Sequence, residues 1–68
     1  MPKTPSLSSR DIAKLLTEAG FVQTRQAGSH VHWIKGDRRV TVPAGRKDMK
    51  TGTLRSIFRQ AGLPWPPA

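Results

Sequence analysis

Apolar positions in this chain follow two periods, and the switch between them marks out the elements. Ile12, Leu15, Leu16 and Ala19 recur at helical spacing and make one apolar stripe. Ser8 stands where a helix cap belongs, and Asp11 sits at the third helical position, able to reach back to it. Leu7 and Ile12 are spaced for a hydrophobic staple. Gly20 supplies a left-handed terminator, with Phe21 placed to fold back on Leu16. The spacing predicts a helix over about residues 9–19. A second stripe, Leu54, Ile57, Phe58 and Ala61, predicts another helix over about 51–61, closed by Gly62 with Leu63 behind it and Pro64 as a stop. Ala19-Gly20-Phe21 and Ala61-Gly62-Leu63 are one stop signal used twice.

Between the helices the period falls to two. Phe21–Gln26, His30–Lys35 and Arg38–Pro43 read as three short strands. Gly36-Asp37 is a two-residue loop of the kind that takes glycine first. It sets Lys35 opposite Arg38, Trp33 opposite Val40, His32 opposite Thr41 and Val31 opposite Val42, so apolar meets apolar and polar meets polar. For the first hairpin, a two-residue loop at Ala27-Gly28 and a four-residue loop at Gln26–Ser29 give the same pairing. Val22 then lies beside Trp33, and Arg25 directly opposite His30. A three-residue loop would turn Arg25 inward against Val31, so the former pairing is preferred.

The order helix, three antiparallel strands, helix predicts an α+β two-layer sandwich, α-β-β-β-α, with both helices on one face of the sheet. That face is expected to be built by Val22, Val31, Trp33, Val40 and Val42. The uncovered face should collect Gln23, Arg25, His30, His32, Arg39 and Thr41. Residues 1–68 read as one domain: a loose arm over 1–7, Pro/Ser/Thr-rich up to residue 6, a folded core over 8–63, and a Pro/Trp tail over 64–68. Trp33 is expected in the core. Trp65 is suited either to packing on the sheet or a helix or to anchoring a partner.

Charge changes the picture most. Twelve Lys/Arg against four Asp/Glu give a formal net charge of +8 and a sequence pI of about 11.6. The cations are spread along the chain, so they should decorate a folded surface and favour a polyanionic partner. With no cysteine, a disulfide framework and a thiolate metal site are excluded, and a reducing compartment fits. No apolar run approaches the roughly 20 residues of a membrane span. Met1-Pro2-Lys3-Thr4-Pro5 leads into no apolar core of a secretory signal, so a cytoplasmic protein is expected.

Candidate chemistry centres on Gly28-Ser29-His30-Val31-His32. Gly28 can take the positive φ of a reversal and Ser29 can hydrogen-bond its own turn, which leaves His30 at a strand end. Alternation sends His30 and His32 to the same, wetter face. His30-x-His32 can also supply two zinc ligands, but without an obvious third beyond Asp37 no metal is expected. Lys47 and Lys50 lie in a polar loop just before a helix, a place for phosphate binding or for a solvated charge run.

Leu15-Leu16, Gly20-Phe21, Gly28-Ser29-His30, Arg39-Val40-Thr41-Val42-Pro43, Lys50-Thr51-Gly52-Thr53-Leu54-Arg55-Ser56-Ile57 and Gln60-Ala61-Gly62-Leu63 together resemble the HicA family of mRNA interferase toxins, from about residue 9 to 63. The resemblance implies a fold like the double-stranded-RNA-binding domain, ribosome-independent cleavage of mRNA, and neutralisation by a HicB-type antitoxin; no cofactor is expected. It also implies that His30 is the catalytic residue. The Pro-rich arm and the Trp/Pro tail depart from the family pattern and bear on the antitoxin-binding surface.

An imidazole titrating near ~6.5 can accept a proton from a ribose 2′-hydroxyl, which then attacks the adjacent phosphate. The expected products are a 2′,3′-cyclic phosphate and a free 5′-hydroxyl. On the preferred pairing, Arg25 would keep His30 deprotonated by like-charge repulsion and hold the phosphate. His32 is placed to act as a second proton-transfer group or to stack on a base. RNA contacts are expected from Arg25, Gly28, Ser29, His32, Arg39, Lys47 and Lys50. The same cationic face also suits an RNA-binding module without catalysis.

Overall fold

A computed structural model describes residues 7–65, so residues 1–6 of the expected arm over 1–7 and the last three residues of the tail lie outside the described residues. The elements run α1 (Ser9–Glu18), β1 (Val22–Ala27), β2 (His30–Lys35), β3 (Arg38–Pro43) and α2 (Thr51–Ala61). The three strands form one antiparallel sheet in the order β1-β2-β3. Ser8 caps α1 as its sequence requires: Asp11 N–H donates to Ser8 Oγ, and Ser8 N–H donates to the Asp11 carboxylate. The hydrogen bond from the Ser8 backbone, then that from its side chain, hold the Asp11 carboxyl below the ordinary aspartate range. Both helices end alike. Phe21 N–H donates to Leu16 O at 2.8 Å and Leu63 N–H to Phe58 O at 2.9 Å, each one residue beyond a glycine.

Ile12 and Leu16 of α1 and Leu54, Ile57, Phe58 and Ala61 of α2 meet Trp33, Val40 and Val42 in a single core. Burying these stripes is what holds so short a chain together, since neither helix alone is long enough to persist in water. Phe21, expected at the start of β1, lies just before it and is buried instead as the residue that closes α1. Met49, read from sequence as part of a polar loop, is also buried. Leu7 packs on the same core from the end of the arm, and Val31 is half-buried against it. Trp65 packs edge-on against Phe58, with ring centroids 5.1 Å apart. No described helix is long and apolar enough to cross a membrane.

The β2–β3 hairpin has the register read from sequence, including Trp33 opposite Val40 and His32 opposite Thr41. The β1–β2 hairpin does not. Its loop is Gly28-Ser29, so Ala27 faces His30, Gln26 faces Val31 and Arg25 faces His32. A bulge between Gln23 and Arg25 then shifts the pairing by one, placing Gln23 opposite Trp33 and Val22 opposite Ile34. An inserted residue moves everything beyond it to the other face. Val22 therefore stands on the uncovered side, 65% exposed, and not in the core. Gln23 moves the opposite way, onto the helix-covered side, where it lines a groove with Gln26, Val31 and Trp33.

Candidate active site

Gly28 takes φ +60°, while Ser29 keeps a negative φ, so the reversal has the glycine-first hairpin geometry and delivers His30 as the first residue of β2. Gln26 Nε2 donates to Gly28 O at 3.0 Å across the turn, and Ala44 N–H donates to Ser29 O at 2.6 Å from the end of β3. The turn is thus tied on both sides. Its products are an exposed Gly28, an exposed Ser29 and an exposed His30 whose cross-strand neighbours are Ala27 and Pro43. Small and apolar neighbours leave the His30 imidazole open to a ligand from solvent.

Along β2 from His30, alternation places His32 and Ile34 on the same uncovered face. His32 is held on three sides. Its Nδ1 lies 3.3 Å from Thr41 Oγ1, its carbonyl accepts from Thr24 Oγ1 at 3.2 Å, and Arg25 stands opposite on β1. Thr41 is itself held, because its N–H donates to Gln60 Oε1 of α2 at 3.2 Å. Thr24, Arg25, His32, Ile34 and Arg39 line one open cavity of about 510 Å³ on this face. The expectation that Arg25 faces His30 is corrected by the register, and with it the like-charge pairing of those two groups. Arg25 belongs with His32.

Lys47 and Lys50 reach the His30 end of the sheet by another route. The segment from Ala44 to Lys50 runs beside α1: Ser9 N–H donates to Arg46 O at 2.8 Å, Arg46 N–H returns to Ser9 Oγ at 2.9 Å, and Met49 N–H donates to Leu7 O at 3.0 Å. Ser9 Oγ also donates to Pro43 O at 2.6 Å, and Pro43 is the residue opposite His30. A polar hollow of about 290 Å³ is lined here by Pro43, Arg46, Asp48, Met49, Lys50 and Thr53. Buried Met49 is the anchor that lets this charged segment hold a shape. Lys47 is exposed within it.

Two ends of the sheet therefore differ. At one, the Gly28-Ser29-His30 turn, the Ala44–Lys50 segment and the start of α2 converge. At the other, Lys35 and Arg38 turn under the sheet to the helix ends, Lys35 Nζ donating to Ala19 O at 2.6 Å and Arg38 Nη1 to Gln60 O at 3.3 Å. Asp37 lies in the turn at this second end, away from His30. Among the described residues no three His, Cys, Asp or Glu side chains gather to hold a metal ion. Alternation already sends Ile34 to the face of His30 and His32, whereas sequence reasoning missed Thr24 and Val22 as parts of the open face, because both depend on the bulge in β1.

Comparison with curated proteins finds no match. Comparison with protein families does: the family model described as the HicA toxin of bacterial toxin–antitoxin systems matches residues 9–63, from the start of α1 to the residue that closes α2. That span holds every strand, the His30 turn and the basic segment before α2, and the chain belongs to the HicA toxin family.

Proposed function

We propose that this toxin is an endoribonuclease that cleaves mRNA in the cytoplasm, with His30 as the general base. The observation that carries the reading is the exposed imidazole of His30 at the tied Gly28-Ser29 turn, on a face without carboxylates and beside the basic segment that ends at Lys50. His30 takes the proton from a ribose 2′-hydroxyl, and the 2′-oxygen bonds to the adjacent phosphorus. The bond from phosphorus to the 5′-oxygen breaks, and that oxygen takes up a proton from water. This leaves a 2′,3′-cyclic phosphate on one fragment and a 5′-hydroxyl on the other. No metal ion enters these steps.

Lys47, Lys50 and the Gly28-Ser29 backbone hold the strand at the His30 end, and Arg25 and Arg39 hold it further along the sheet. A toxin of this family is paired with an antitoxin. We assign it a HicB-type protein with acidic groups that meet the cationic surface. Expression in bacteria tests the reading: growth should stop, resume when the neighbouring antitoxin frame is co-expressed, and never stop with His30→Ala. Growth arrest of equal strength from His30→Ala would overturn it.

A further inference from the structure

We propose that the uncovered face of the sheet holds one unstacked nucleobase of the RNA against His32 and Ile34, with Thr41 fixing the His32 ring. The nuclease reading enters only in placing this base next to the cut; the binding itself does not depend on it.

Three observations point there. The first is the order of the imidazole: half-buried, with Nδ1 engaged by Thr41 Oγ1, whose own strand is pinned by Gln60. Its other nitrogen and its face remain for a ligand, so the ring is a preorganised platform and not a side chain that must be ordered on binding. The second is the floor. The bulge in β1 puts Val22 opposite Ile34, so an apolar pair lies beside His32 on a face that solvent alone would not favour. A phosphate gains nothing from such a surface, whereas the flat apolar side of a base does. The third is charge. Arg25 and Arg39 stand on the two outer strands, one row apart, about 12 Å between Cα atoms from strand spacing and rise. All four acidic residues lie elsewhere, in α1, the β2–β3 turn and the segment before α2. A base can lie between the two guanidinium groups while they meet the phosphates on either side. His32 follows His30 by two strand residues, roughly 7 Å, so this base and the reacting ribose are neighbours on the strand.

Titration of the intact protein with a nucleoside monophosphate and, separately, with ribose 5-phosphate, followed by NMR, tests the inference. The nucleotide should shift the Ile34 methyl and His32 ring signals, upfield at Ile34 where a base stacks, and bind about tenfold more tightly than ribose 5-phosphate. The difference should vanish in His32→Ala and shrink in Thr41→Val. It should return in Thr41→Ser and persist in His30→Ala, with thermal unfolding confirming that each variant is folded. Equal affinities for the two ligands, or shifts confined to Lys47 and Lys50, would overturn the inference and leave this face to a protein. Base-dependent shifts at Ile34 in a protein that cuts no RNA would sustain the subsite and remove the nuclease.

Discussion

Arg25 of β1 stands directly opposite His32, and the small Ala27 takes the place opposite His30. On the proposed reading the guanidinium meets the RNA strand beside His32, two residues along the sheet from His30. Arg25→Ala should raise KM for RNA several-fold while leaving kcat nearly unchanged. Losing one phosphate contact should also lower the log–log salt slope of binding by about 0.7. Steady-state kinetics across a salt series measures both. A fall in kcat at unchanged KM would place Arg25 on the reacting phosphate instead.

The β2–β3 hairpin also closes the helices. Lys35 Nζ reaches the carbonyl of Ala19 and lies over the Phe21 ring at 5.8 Å, and Arg38 reaches the carbonyl of Gln60. A cation at a helix C-terminus meets the negative end of its dipole, so Lys35→Met should cost about 0.5–1 kcal/mol in chemical denaturation. Gly62 makes room for Arg38: at φ +70°, an added Cβ would sit 2.6 Å from the guanidinium carbon. Gly62→Ala should cost about 1–2 kcal/mol from the left-handed backbone alone and also displace Arg38. The cost of Arg38→Ala should consequently be smaller in the Gly62→Ala background than in the wild type.

Legibility in the sequence followed how many constraints bore on each element. The second hairpin was readable because Gly36-Asp37 sets the loop length and four cross-strand pairs then agree in polarity. For the first hairpin, loops at Ala27-Gly28 and Gln26–Ser29 gave one pairing and a three-residue loop another. The observed Gly28-Ser29 loop was not among them, and alternation alone was blind to a residue inserted between Gln23 and Arg25. A signal for the true loop was present: Gly28-Ser29 repeats the glycine-first pair of Gly36-Asp37. Met49 carried a signal too, as the lone large apolar side chain in a charged segment, but no period marks a single anchor. His30 was legible as the strand-end histidine of a Gly-Ser-His turn, and His32 opposite Thr41 followed from the second hairpin; Arg25 opposite His32 needed the correct first hairpin.

That difference between Val22 and Met49 is measurable. Val22→Ser should change stability by less than about 0.5 kcal/mol, since its side chain already faces water. Met49→Ala should cost about 2–3 kcal/mol, because it removes a buried side chain and loosens the segment that carries Lys47 and Lys50. Urea denaturation of the two variants compares them directly; a larger loss for Val22→Ser would restore the register without a bulge.

The capping box of α1 makes stability depend on acid. Asp11 is more acidic in the folded protein than in the unfolded chain, so its contribution is present in full above its unfolded pKa. It is lost as pH falls through the folded value. Thermal stability should drop below roughly pH 4, and Asp11→Asn should remove that part of the drop while lowering stability at neutral pH. Ser8→Ala, which removes the Oγ that accepts from Asp11 N–H but keeps the backbone N–H that donates to the carboxylate, should cost about 1 kcal/mol at neutral pH.

Cleavage of labelled single-stranded RNA by the purified protein in EDTA, beside His30→Ala, tests the central claim most directly. The wild type should release fragments ending in a 2′,3′-cyclic phosphate and a 5′-hydroxyl. His30→Ala, with an unchanged circular-dichroism spectrum and retained RNA binding, should lose at least about a hundredfold in kcat. Cutting by His30→Ala at the wild-type rate, or fragments that carry a 5′-phosphate, would contradict the account.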